Sequence, residues 1–433
     1  MKFRLDELKK DSLYYFIARM FPAFSGLLSI TLFIRLLGRE IYGEYALIQA
    51  AILFTGNVAP IWLSQSILRY YSRFDSTQQR RIFSTAILFS TLLTTLLFAI
   101  GFLIFAITYL HLAPLNLFIA TIAVLALIFY NLLVSVQQAM LKPKKIILAE
   151  FCRGFFIITL PLGLLFILGI KSYTVLLLGS ALTLSIACYV ISRGIKIDFA
   201  WHSNFTRIIK KVIMPFGIPL TLWIGLSTLL NTSDRYIINY FMDAKAVGTY
   251  SAVYDVVYNS FGLMLAPVLY AAHPRIVRLW NQRQEKDSLN LLKKAITLEI
   301  IIGIMALLTL SQVAPILTRI ILGTNDHSAT QLVLPVAAGA ICWQMAMLVH
   351  KTLELKGKTI RMLIYVCCAL VANVIGNIVF IPLYGYVASA YITTLSAFIY
   401  MMLVITDTLI ARWLTIKQHP FAFKLTAHRK AIL

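Results

Sequence analysis

Charged residues are scarce in this sequence, and acidic residues are the scarcer kind. Only 13% of the 433 residues are charged, and Asp and Glu together number 17 against 39 Lys and Arg. Hydrophobic residues make up 60% of the chain, and the mean hydropathy is +0.83. So much apolar surface excludes an ordinary water-soluble core, so the solvent around this chain is lipid. Because irregular backbone cannot face hydrocarbon, we predict an all-α integral membrane protein.

Sequence signals of catalysis are missing as well. The longest connections between apolar stretches, 194–211 and 275–291, leave no room for a catalytic domain outside the membrane. The five cysteines lie inside apolar stretches without the spacing of metal ligands, and the seven histidines include no HExxH pair. We therefore predict neither an enzyme nor a metal site.

Lys and Arg follow an alternating pattern along the chain. Twelve apolar stretches are long enough to cross a bilayer, and every second connection between them is rich in basic residues. Loops rich in Lys and Arg stay in the cytoplasm, which predicts that both termini are cytoplasmic. The same bias accounts for most of the net charge of +22, so no nucleic-acid partner is predicted.

The twelve stretches divide into two sets of six. We predict four segments: an N-terminal six-helix bundle over 1–193, a cytoplasmic linker over 194–211, a C-terminal six-helix bundle over 212–411, and a basic cytoplasmic tail over 412–433. Gly43 and Tyr45 open the second helix, and Gly248 and Tyr250 open the eighth, at equivalent points of the two halves. Parallel repeats with the substrate between them are a transporter architecture.

Four arginines fall inside the apolar stretches. A guanidinium within the bilayer costs about 2.5–3.5 kcal/mol, so it usually faces the bundle interior or reaches the headgroups. Arg19 and Arg153 lie roughly 10 Å deep from the predicted cytoplasmic side, at a rise of 1.5 Å per residue. We predict that Arg19 faces a cavity, whereas for Arg153 a cavity-facing position and reaching the headgroups explain the charge equally well. Arg35 and Arg235 lie near the predicted periplasmic ends of their helices, where reaching the headgroups explains them equally well.

The second helix of each half carries a polar stripe. The stripes consist of Gln49 and Asn57 in the first half and of Tyr254, Asp255, Tyr258 and Asn259 in the second. Interhelical hydrogen bonding is the ordinary explanation of such stripes. Their equivalent placement in both halves nevertheless predicts a water-filled cleft between the halves.

Three segments resemble bacterial polysaccharide exporters. They are LLGREIYGEY at 36–45, the segment 234–252 that begins DRYII and ends VGTYSA, and the segment 373–390 that contains Asn373, Asn377 and IPLYGY. These segments resemble Wzx-type O-antigen flippases of the multidrug/oligosaccharidyl-lipid/polysaccharide (MOP) exporter superfamily. The resemblance implies twelve transmembrane helices in two six-helix bundles, related by pseudo-two-fold symmetry in a MATE-like V shape.

The resemblance also implies a function. The implied cargo is an undecaprenyl-diphosphate-linked oligosaccharide, which is an O-antigen unit of lipopolysaccharide or a related repeat unit. The implied activity moves this cargo from the cytoplasmic to the periplasmic leaflet of the bacterial inner membrane by alternating access. A polysaccharide polymerase and a chain-length regulator are the implied protein partners. No cofactor is implied, apart from coupling to protons or sodium at Asp255 or Asp234.

We therefore expect Arg19 and Arg153 to attract the diphosphate, Arg35 and Arg235 to lie near the exit, and the polar stripes to contact the sugar. Two alternatives stay open. A MATE-like exporter of drugs or other small molecules would be favoured by acidic cavity residues. A membrane-embedded polysaccharide polymerase would be favoured by a large basic periplasmic loop.

Overall fold

The computed structural model describes the backbone of residues 5–71, 77–195 and 205–418, and the side chains of 20–71, 81–195 and 205–408. Within these ranges all regular secondary structure is helical, which confirms the all-α prediction. Twelve membrane-spanning segments are long and apolar enough to cross a bilayer, so the chain is a multi-pass membrane protein. The bundle end that carries the Lys- and Arg-rich connections is its predicted cytoplasmic end.

The first six spans are built from seven helices. They are α1 (Leu5–Leu37), α2 (Arg39–Val58), α3 (Ile61–Tyr70), α4 (Thr77–Thr108), α5 (Pro114–Ala139), α6 (Pro143–Leu168) and α7 (Tyr173–Ser192). The last six spans are built from nine. They are α8 (Phe205–Ile208), α9 (Met214–Leu230), α10 (Ser233–Phe241), α11 (Ala244–Asn281), α12 (Glu285–Leu322), α13 (His327–Val349), α14 (Lys351–Leu355), α15 (Thr359–Tyr384) and α16 (Tyr386–Gln418).

Two spans are interrupted within the membrane. The second span breaks at Pro60, which has no N–H for a helical hydrogen bond, so α2 ends at Val58 and α3 begins at Ile61. The seventh span breaks at Asn231 and Thr232. Their backbone N–H groups donate to the carbonyl oxygens three residues earlier, each at 3.1 Å. This span begins with α8 and a π-helical turn over 209–213, so helical backbone occupies the end of the predicted linker.

Most helix packing lies within one half of the chain. In the first half, α6 and α7 pack on each other, α1 packs on α6, and α5 packs on α7. In the second half, α13 packs on α16, α15 on α16, and α11 on α12 and α13. Between the halves, α2 packs along α11, α3 packs on α9, and α1 lies against α11.

The halves come closest where α2 crosses α11. A Cβ atom built on Gly43 would lie 1.8 Å from the carbonyl oxygen of Ala244, and one built on Gly248 would lie 1.8 Å from the carbonyl oxygen of Arg39. The two contacts are reciprocal, because the same sequence offset relates Gly43 to Gly248 and Arg39 to Ala244. A pseudo-two-fold axis therefore passes between the two glycines. We call this contact the glycine crossing.

Replacing either glycine should destabilise the closed arrangement. In Gly43→Ala and Gly248→Ala, the added methyl group meets backbone atoms that cannot rotate away, and overpacking of this kind costs about 1–3 kcal/mol. Each variant should show a lower apparent melting temperature in detergent than the parent protein. Gly101→Ala is the matched control, because a Cβ on Gly101 meets nothing within 4 Å. Equal melting temperatures for Gly43→Ala and Gly101→Ala would show that the crossing tolerates a methyl group.

Candidate functional site: a polar cavity between the halves

A cavity of about 750 Å³ lies between the two halves, beside the glycine crossing. Helices α1, α2, α5, α6 and α7 line it from the first half, and α9, α10, α11 and α13 line it from the second. Among the side chains that the structure describes, three charged ones reach it, those of Arg153, Arg235 and Asp255. Its volume is within the usual range of small-molecule sites, about 300–1,000 Å³.

The seventh span supplies the arginine at the second-half wall. Arg235 lies in the first turn of α10, just after the break, and its Nη2 donates to Asp255 Oδ1 on α11 at 2.5 Å. The guanidinium carbon lies 5.9 Å from the centroid of the Tyr254 ring. The charge of Arg235 is therefore balanced by Asp255, and the pair joins α10 to α11.

A second carboxylate lies behind this pair. Asp234 is fully buried and is not among the residues that line the cavity. It accepts hydrogen bonds from the Arg235 backbone N–H at 2.9 Å and from the Tyr250 hydroxyl. Next to it, the Ser233 hydroxyl donates to Asn373 Oδ1 on α15 at 3.4 Å. Within the described residues, no group of three carboxylate, imidazole or thiol side chains has a geometry suited to a metal ion.

Three tyrosines form a continuous stack along α11. The ring centroids of Tyr250 and Tyr254 are 5.4 Å apart, and those of Tyr254 and Tyr258 are 5.1 Å apart, with the rings close to parallel. The Tyr254 hydroxyl donates to Asn231 Oδ1 at 3.2 Å, which ties the stack to the break in the seventh span. Tyr254 and Tyr258 present this stack to the cavity. We call these three residues the tyrosine stack.

Uncharged amides complete much of the polar lining. The predicted residues Gln49, Asn57 and Asn259 all reach the cavity, and the structure adds Asn231 and Gln344. These two additions are also amides within apolar stretches, so the signal that selected Asn57 would have found them. The Asn57 Oδ1 atom accepts from Asn131 Nδ2 at 3.0 Å. Within the described part of the chain, Gln49 Oε1 and Arg235 Nε have no hydrogen-bond partner.

Arg153 is the more exposed of the two arginines in the cavity. Its side chain is 33% exposed, against 8% for Arg235. One Nη atom of Arg153 lies 3.0 Å from Glu150 Oε2, and the guanidinium carbon lies 5.5 Å from the centroid of the Tyr130 ring. Phe151 stacks on Phe21 with ring centroids 4.7 Å apart, which holds this part of α6 against α1.

The other two arginines are placed differently. Arg19 lies on α1, two residues before Phe21 and three before Pro22, but its side chain lies outside the described residues. Arg35 is not in the cavity. Its Nη2 donates to the carbonyl oxygen of Arg319 on α12 at 3.0 Å, so it joins the halves at the predicted periplasmic end.

Further contacts between the halves close the predicted periplasmic end of the cavity. Arg39 forms an ion pair with Asp326, and its Nη2 donates to Thr324 Oγ1 at 2.6 Å. The Tyr236 hydroxyl donates to the carbonyl oxygen of Leu47 at 3.1 Å. At the other end, the contacts between the halves include the Arg69 guanidinium on α3, which lies 4.2 Å from the centroid of the Phe216 ring on α9.

Two helical bundles that meet at a glycine crossing above a central polar cavity define a transporter of the MOP type. The sequence profile of the polysaccharide biosynthesis protein family matches residues 8–280, so the chain belongs to that family of MOP-superfamily flippases. None of the curated proteins matches the sequence.

Solved structures show the same fold at low sequence identity. The lipid II flippase MurJ in an inward closed conformation is 15% identical with a TM-score of 0.75, covering 95% of this chain and 94% of that one. A multidrug resistance MATE family transporter in an inward-facing conformation is 12% identical with a TM-score of 0.75, covering 93% and 99%. An outward-facing MATE family transporter is 14% identical with a TM-score of 0.59, covering 94% and 95%.

The ion pair of Arg39 and Asp326 should hold the predicted periplasmic end shut. Ala46 is buried beside the cavity, so Ala46→Cys, in a background without the five native cysteines, reports opening through its rate of labelling by an impermeant maleimide. Arg39→Ala or Asp326→Ala should each raise that rate up to about fivefold, because a partly exposed pair contributes up to about 1 kcal/mol. The double variant should be no faster than either single variant.

The same pair predicts a pH dependence. Burial raises the pKa of Asp326, but hydrogen bonds from the Ala329 N–H and from Arg39 outweigh it and lower that pKa below its ordinary value of 3.8. Because the pKa is depressed, the stabilisation is complete above about pH 4 and is lost as the pH falls through the lowered value. Maleimide reacts with the thiolate, so the labelling rate is divided at each pH by that of a fully exposed cysteine, and this ratio should be constant between about pH 8 and 5. Glu354→Ala removes an ion pair within one half and should leave labelling unchanged, whereas unchanged labelling in Asp326→Ala would contradict the assignment.

Proposed function

We propose that this protein is a flippase for an undecaprenyl-diphosphate-linked oligosaccharide, an O-antigen unit or a related repeat unit. It moves this cargo from the cytoplasmic to the periplasmic leaflet of a bacterial inner membrane, with both of its own termini in the cytoplasm. The observation that carries the proposal is the cavity between the halves, lined by amides and tyrosines and bordered by the accessible Arg153, in a member of the polysaccharide biosynthesis family.

We assign the diphosphate to Arg153, together with the predicted Arg19, which lies two residues before Phe21 on α1. A guanidinium carries five N–H donors in a planar fork, and the ion pair with Glu150 occupies only part of it. The remaining donors suit phosphate oxygens. Glu150 competes with the phosphate for the same cation, so its charge opposes binding.

The sugar is assigned to the tyrosine stack and the amides. Tyrosine rings offer apolar faces to sugar rings, and the amides of Gln49, Asn57 and Asn259 can donate to and accept from hydroxyl groups. Alternating access then requires the glycine crossing and the Arg39 pair to separate while the opposite end closes. Asp255 or Asp234 is our proposed site of coupling to protons or sodium. A polysaccharide polymerase and a chain-length regulator are the proposed partners.

Export of organic cations is the second candidate function. It is favoured by the likeness of the fold to MATE family transporters and by the aromatic stack beside a carboxylate in the cavity. The charge of Asp255 is already balanced by Arg235, so the carboxylate would have to give up this ion pair to hold an organic cation. A polymerase is disfavoured, because the family and its structural relatives are transporters and flippases.

Arg153 and Glu150 should affect transport in opposite directions. Arg153→Gln should reduce flipping of undecaprenyl-diphosphate-linked oligosaccharide in proteoliposomes about tenfold or more, because a charge-assisted hydrogen bond is worth about 1.5–3 kcal/mol. Glu150→Gln should raise affinity for the same lipid, since it frees the guanidinium. Arg361→Gln, a neutralisation outside the cavity, is the matched control.

Cells give an independent test of the proposed function. Deletion of the gene should abolish surface polysaccharide and leave repeat units on the cytoplasmic leaflet of the inner membrane. Normal surface polysaccharide in the deletion strain, with altered resistance to organic cations, would instead support drug export.

A further inference from the structure

We infer that the sugar part of the cargo is uncharged, and that Asp255 discriminates against acidic sugars. The inference rests on the proposed function and names the chemical class of the glycan that the cavity accepts. It follows from how the charges on the cavity wall are paired and from which of them are exposed.

Each charge on the described cavity wall already has a partner in its own half. Arg235 is paired with Asp255 at 2.5 Å, and Arg153 with Glu150 at 3.0 Å. Asp234 lies buried directly behind Arg235. Around the tyrosine stack, guanidinium charge therefore does not exceed carboxylate charge.

In the ion pair of Arg235 and Asp255, the aspartate is the more exposed side chain. The Asp255 side chain is 22% exposed, whereas the Arg235 side chain is 8% exposed. A sugar that reaches Tyr254 therefore meets more of the carboxylate than of the guanidinium. The carboxylate of a uronic acid at this place would lose its hydration in a region of low dielectric without gaining a free cation, because Asp255 already neutralises Arg235.

Two polar atoms near the cavity without hydrogen-bond partners also favour sugar hydroxyls over carboxylates. Gln49 Oε1 needs a donor and Arg235 Nε needs an acceptor, and neither has a partner within the described residues. A hydroxyl group donates and accepts, so neutral sugars can satisfy both. A carboxylate in place of such a hydroxyl only accepts, so at that position it could bond Arg235 Nε but would leave Gln49 Oε1 an unsatisfied buried polar atom.

The diphosphate and the glycan are thus recognised by different parts of the cavity. Arg153 belongs to α6 in the first half, whereas the Arg235 and Asp255 pair joins α10 and α11 in the second. The anionic group common to all such lipids can bind at Arg153, and the variable glycan is selected at Asp255.

The test compares two undecaprenyl-diphosphate tetrasaccharides that differ in one sugar. One contains only glucose and N-acetylglucosamine, and the other has glucuronic acid in place of one glucose. The purified full-length protein in proteoliposomes should flip the neutral cargo at least about tenfold faster than the acidic one. Asp255→Asn should reduce this ratio several-fold. The double variant with Arg235→Gln and Asp255→Asn restores charge balance and should return the ratio toward the parent value.

Asp243→Asn is the matched control, because Asp243 caps α11 outside the cavity and asparagine caps helices equally well. Its ratio should equal that of the parent. If the parent protein flips the acidic cargo as fast as the neutral one, the inference is wrong and the proposed function stands. If the folded parent protein flips neither cargo, the proposed function fails, and the inference fails with it. The parent ratio and the double variant decide the matter even if Asp255→Asn does not fold.

Discussion

The closest approach of two backbones, at Gly43 and Gly248, is the constraint on which the rest of this structure depends. Each glycine lies against a main-chain carbonyl of the opposite half, at a distance that no side chain would permit. The crossing fixes the separation of α2 and α11 at the predicted periplasmic end, and beyond it both helices turn polar faces to the cavity. The crossing thus determines both where the halves meet and where the space between them lies.

The two halves interrupt their helices in different spans and bring different side chains to the cavity. Interruption of the seventh span at Asn231 and Thr232 places α10 so that Arg235 reaches Asp255. Removing one partner from a buried ion pair costs about 3–5 kcal/mol, so this pair keeps α10 fixed against α11. The break in the second span occurs at a proline instead, and the first half supplies Gln49, Asn57 and the more exposed Arg153. A common architecture therefore presents two different surfaces to one cavity.

Much of the fold was accessible from the sequence. The alternation of basic connections and the recurrence of Gly and Tyr predicted twelve spans and a pseudo-two-fold relation, because both follow from local composition. The stripe residues Gln49, Asn57, Tyr254 and Asn259 all line the cavity, while their role in binding stays a prediction. The pairings of Arg235 with Asp255 and of Arg39 with Asp326 could not be predicted, because they depend on how separate helices are packed and not on spacing along the chain.

The distribution of strong and weak contacts suits a protein that changes its conformation. The more deeply buried ion pair, Arg235 with Asp255, lies within one half, as does Arg153 with Glu150, so a movement between the halves breaks neither. Within the described residues, the ion pair that crosses between the halves is that of Arg39 and Asp326, and it is partly exposed. Partly exposed pairs contribute little, about 0–1 kcal/mol, and the glycine crossing forms no side-chain hydrogen bond. A movement between the halves therefore leaves each wall of the cavity intact, while it must break the hydrogen bonds of Arg35 and Tyr236 and the apolar packing of α2 on α11.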